Sequence, residues 1–153
     1  MSEINIPKPK SSRNIRFGLT ILGIGSIIYI LGINPAIVGQ DRSSIFGVVQ
    51  LTFFLIGLGL ICLGGYSTLT TLWNGDEKSI VADIGQRLVA TGFVIALAAG
   101  MADVFGFGTQ TYPSIPYFGY RQVIGVLVGL SLVIIGFIAM IPWPGRKRAE
   151  LAG

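Results

Sequence analysis

Residues 118–137 read FGYRQVIGVLVGLSLVIIGF, and no charged side chain follows Arg121 until Arg146. From Gln122 the apolar run extends to Trp143, which exceeds the about 20 mostly apolar residues that a helix needs to cross a ~30 Å hydrocarbon core. A helix of a soluble bundle carries polar residues along one whole face. Here Ser131 is the one hydroxyl between Gln122 and Trp143. The stretch therefore reads as a transmembrane helix.

Three other runs read the same way, at 17–33, 45–73 and 84–107. The second is longer than a bilayer requires, so it must tilt or project into the cytoplasm through YSTLTTLW (66–73). Composition agrees. Of 153 residues, 52% are hydrophobic and 12% charged, with a mean hydropathy of +0.73, whereas soluble domains carry roughly 25% charged residues. The first run follows Lys8, Lys10, Arg13 and Arg16, as a signal peptide would. It is longer than the usual 7–15-residue core of a signal and meets NPAIVGQ rather than a small-x-small site. We read it as a retained first helix.

Basic residues set the orientation, because Lys and Arg near helix ends stay in the cytoplasm. With four spans, Lys8, Lys10, Arg13, Arg16, Lys78, Arg87, Arg146, Lys147 and Arg148 share one side, and only Arg42 and Arg121 face the other. Both termini are expected inside a bacterial inner membrane, N-in and C-in. The net charge of +4 then lies where anionic headgroups attract it. Nucleic acid is not an expected partner, since no basic patch with interleaved aromatics occurs.

The opening stretch has an echo. Residues 46–65 read FGVVQLTFFLIGLGLICLGG, 72 positions earlier. Superposed, Gln50 falls on Gln122, Gly57-Leu58 on Gly129-Leu130, and Gly64 on Gly136. Arg16 and Thr20 anticipate Arg87 and Thr91 at an offset of 71. The expected fold is an all-α integral membrane protein of four transmembrane helices, built as a tandem duplication of a two-helix hairpin. Its parts are a basic cytoplasmic tail (1–16), hairpin repeat 1 (17–73), a cytoplasmic loop (74–83), hairpin repeat 2 (84–143) and a second basic tail (144–153).

Glycine has a physical use in such a bundle. Lipid tails are as apolar as Leu, so helices associate by close packing, which small residues permit. Gly125-x-x-x-Gly129 with Gly136, Gly92-x-x-x-Ala96-x-x-x-Gly100, and Gly57 with Gly64 are the candidate packing faces. They serve either the four helices themselves or a partner helix, lipid tail or planar pigment. Gln50 and Gln122 lie near the outer ends of their helices, where each amide must find a hydrogen-bond partner. They are expected to face each other or to cap neighbouring helix ends.

Asp103 is the most suggestive charge, because an intramembrane carboxylate marks a functional site by default. Sixteen helical residues separate it from Arg87, about 24 Å at 1.5 Å each, which puts it at the outer boundary. The expected arrangement is an Asp103–Arg121 clamp across the outer helix ends, with proton or cation binding as the sharper alternative. Asp83 and Arg87 are spaced as an i,i+4 ion pair.

Much chemistry is excluded. The chain has no histidine and one cysteine, Cys62, so a Cys/His zinc site and the usual haem ligands are missing. No nucleophile motif, phosphate loop or paired carboxylates within one helix occurs. No enzyme and no cofactor is expected. The sequence reads best as an accessory or scaffold subunit of a larger membrane complex, such as an energy-transducing one, whose partners are membrane lipids and other membrane subunits or itself. A small homo-oligomeric transporter or channel using Asp103, and a lipid- or pigment-associated packing protein, are the alternatives.

Overall fold

A computed structural model describes residues 12–34, 48–73, 79–102, 104–106 and 119–142. All regular structure among them is helical: α1 (Ser12–Ile33), α2 (Val48–Leu72), α3 (Ile80–Gly100) and α4 (Tyr120–Met140). Each helix is long and apolar enough to cross a membrane. At 22, 25, 21 and 21 residues and 1.5 Å per residue, they span about 32–38 Å.

The helix ends follow local chemistry. Ser79 caps α3, its hydroxyl accepting the backbone N–H of Ala82 at 3.3 Å, which satisfies one of the orphan donors of the first turn. This starts α3 at Ile80, four residues before the apolar run begins. The same helix stops at Gly100 rather than running on to Phe107. The N–H of Met101 still makes the helical bond to Leu97 O at 2.9 Å, but that of Ala102 bonds Ala99 O at 3.4 Å, three residues back rather than four, which tightens the last turn; Gly106 then adopts φ +78°. Asp103 itself lies outside the described residues.

Several hydroxyls inside the helices find their partner in the same helix. The hydroxyls of Thr20, Ser26, Thr68, Thr70, Thr71 and Ser131 each donate to the carbonyl four residues earlier at 2.7–2.8 Å. Such back-bonding makes hydroxyls tolerable in a medium that offers no water.

α1 packs along α2, and α3 along α4, each pair antiparallel. The two hairpins meet through α2, which touches both α3 and α4. One buried cluster unites Leu58 and Cys62 of α2 with Val89 and Ala96 of α3 and Val133 and Met140 of α4. A second gathers Leu51, Phe54 and Leu55 with Val126 at the end of the molecule where α1 and α3 finish.

Candidate functional site

Helices in lipid associate by close packing, and glycines set the contact distance between these helices. On α2, a Cβ at Gly64 would stand 2.5 Å from the Leu22 nitrogen and 2.8 Å from Gly18 O, and one at Gly57 would collide with the backbone of Tyr29. On α4, a Cβ at Gly129 would stand 2.5 Å from Gly92 O and 2.6 Å from the Ala96 nitrogen, and one at Gly136 2.7 Å from Gly85 O. These are backbone-to-backbone contacts, so no side chain could rotate away to make room. Gly125 faces Ala99, whose Cβ would be 2.5 Å from an added one. Ala96, wholly buried, lies in the seam between α3 and α4, whereas Gly100 turns toward Leu51 and Leu55 of α2 at 3.3–3.5 Å.

The seams also hold four glycines beyond those picked out in the sequence. Gly18, Gly25 and Gly32 of α1 lie against Thr68, Leu60-Ile61 and Phe53-Phe54 of α2, and Gly85 of α3 lies against Gly136, Ala139 and Met140. Their seven-residue spacing is the signal that could have found them, since it keeps one face of a helix against its neighbour.

Between the hairpins the contacts are of another kind. The Phe93 ring covers Gly59, with 3.2 Å from Cζ to an added Cβ, and the Phe137 ring covers Gly65 at 2.7 Å. At the end where α2 and α4 finish, the buried Trp73 indole N–H donates to Met140 O at 3.2 Å, satisfying a C-terminal carbonyl that α4 leaves open.

The two glutamines do not face each other. Gln50 Nε2 donates to Ile33 O at 3.3 Å, capping the last turn of α1. Gln122 Oε1 accepts from Gly119 N at 2.8 Å and so caps its own helix. Its Nε2 is buried without a hydrogen-bond partner among the described residues. Arg121 is exposed in the first turn of α4, and its expected partner Asp103 lies outside the described residues. Asp83 Oδ2 and Arg87 Nε pair at 3.1 Å on an exposed face. Cys62 is a free thiol in the central cluster.

Among the described residues, no three His, Cys, Asp or Glu side chains gather as a metal site would require. No protein-family model matches the chain, and neither the curated proteins nor the solved structures contain a match to it.

Proposed function

We propose that this chain is a non-catalytic integral membrane protein of a bacterial inner membrane, N-in and C-in, serving as an accessory or scaffold subunit of a larger membrane complex. One observation carries the reading. Among the described residues the buried polar side chains are Ser79 and Gln122, and both stand at helix ends. Among the described residues the packed faces between them are mainly apolar side chain and glycine backbone, and the part-buried hydroxyls of Ser26, Thr68, Thr70 and Thr71 are taken up by their own helices. A bundle packed this way offers the bilayer a shape rather than a reactive group, and its output is what binds to that shape. Nine of eleven basic residues on one side support the orientation.

The contacts support a tandem duplication as well. Gly18 meets Gly64 and Thr68, and Gly85 meets Gly136 and Met140; Gly25 meets Leu60-Ile61, and Gly92 meets Leu132-Val133. Tyr29 faces Gly57 as Ala96 faces Gly129, and Gly32 faces Phe53 as Ala99 faces Gly125. The same offsets, 67 on the first helix and 72 on the second, relate every one of these pairs. The offset of 67 differs by one helical turn from the 71 suggested by the Arg-Thr pairs.

The experiment is a mild-detergent extraction from the native membrane, separated on a native gel with mass spectrometry of each band. Stoichiometric co-migration with larger subunits is the expected result. Migration alone, together with flux in liposomes that Asp103→Asn abolishes, would overturn the reading in favour of a transporter.

A further inference from the structure

The hairpins are not joined symmetrically. α2 packs on both α3 and α4, while α1 has no comparable contact with either. A two-fold axis between the hairpins would match α2-on-α3 with α4-on-α1, and among the described residues no contact of that extent joins α1 to α4. The joint is head-to-tail. A heterologous contact between similar units leaves half of the same interface open at each end.

We infer that a second copy of this chain occupies the open half, laying its α1 on the free face of α4. The inference rests on reading the hairpins as repeats, and it commits to particular residues. Inside the chain, Leu51 and Leu55 of α2 pack at Gly100 of α3, and Gly59 lies under Phe93. Seventy-two positions on, α4 carries Val123, Leu127 and Ser131; the first two are 37% and 55% exposed, and Ser131 is exposed. Sixty-seven positions before Phe93 and Gly100, α1 carries Ser26 and Ile33, the latter 48% exposed. Ser131 of one copy should therefore meet Ser26 of the next, with Val123 and Leu127 beside Ile33.

Depth and chemistry are compatible with this. Gly25, next to Ser26, packs at Leu60, while Phe137 of α4 packs at Gly65 of α2, which sets Ser131 level with Gly59 and hence with Ser26. Both hydroxyls already donate within their own helices at 2.8 Å, so the joint needs no polar pairing across it. Gly23, three residues from Ser26, has nothing within 4 Å of an added Cβ, which leaves room for close helix approach.

The test is cysteine cross-linking of the full chain in native membranes. In a C62A background, S26C and S131C are treated with a short bifunctional thiosulfonate. A ladder of linked dimers and higher species is expected, with none from I24C and S131C, because Ile24 is 50% exposed on another side of α1. G59C with F93C, joined within one chain, reads the internal joint separately. That internal link without the ladder overturns the docking and leaves the duplication standing. Loss of both overturns the head-to-tail order and the docking with it. Adducts between S131C and a different protein overturn it too, giving that face to a foreign subunit. A ladder from a protein that co-migrates with nothing else supports the docking while removing the accessory-subunit reading.

Discussion

The seam inside each hairpin and the joint between the hairpins use glycine in opposite ways. In the seams, Gly57, Gly64, Gly129 and Gly136 bring backbone onto backbone, so the separation is fixed by atoms that cannot rotate. In the joint, Gly59 and Gly65 receive the rings of Phe93 and Phe137, so the separation is set by side chains that can swing. Cohesion in lipid comes from contact rather than from expelled water. The seams are therefore the stiff parts and the joint is the compliant one. The molecule is two rigid hairpins held by an adjustable joint.

The hardest test of that difference is a bulky residue in a seam. Gly129→Leu would drive carbon atoms into Gly92 O and the Ala96 nitrogen, 2.5 and 2.6 Å from the first of them. Overpacking costs about 1–3 kcal/mol where neighbours can shift, and here they are backbone. We expect loss of the folded protein, read as aggregation on size-exclusion chromatography in detergent. Gly64→Leu should do the same to the first hairpin. A variant that elutes and melts like the parent would refute the rigid seam.

The joint should yield less. Trp73→Phe leaves part of the buried indole's volume unfilled and removes the N–H donated to Met140 O, and a buried acceptor left without its donor costs about 1–3 kcal/mol. The expected result is a lower melting temperature in detergent, with the secondary structure by circular dichroism unchanged below it. Gly59→Ala belongs to the same region, and its Cβ would come 3.2 Å from Phe93 Cζ, the far end of a side chain that can give. Its cost should be well below that of Gly129→Leu. Equal costs would erase the distinction between seam and joint.

Four long apolar helices were legible from run length alone, because hydropathy over twenty residues sums many small terms into one large one. The second seam was partly legible too, since Gly125, Gly129 and Gly136 stand out within a run of Leu, Ile and Val. Gly18, Gly25 and Gly32 were not selected, because a single glycine every seventh residue looks like composition until the facing helix is known. The end of α3 was misread for a related reason. Apolarity continues through Val104, Phe105 and Phe107, yet hydropathy says nothing of backbone path, and the helix ends where the Ala102 N–H bonds Ala99 O, three residues back rather than four. The glutamines were identified as polar groups needing partners, but the pattern could not distinguish a cap on a neighbouring helix from a cap on their own.

That last ambiguity leads to the smallest and most discriminating of the effects. Gln50 and Gln122 occupy matching places, yet Gln50 is half-buried with a cross-helix bond of 3.3 Å, and Gln122 is buried with a local one of 2.8 Å. Gln50→Leu deletes a partly exposed bond between α1 and α2, worth about 0.6 kcal/mol by the average for interhelical bonds in a membrane bundle. Gln122→Leu takes the cap from Gly119 N but also removes an amide nitrogen buried without a partner, whose desolvation already weighs against the folded state. The two terms offset, so Gln122→Leu should change the melting temperature no more than Gln50→Leu, although it is the more buried of the two. A clearly larger loss at Gln122 would mean that its Nε2 is satisfied in the membrane by a group beyond the described residues.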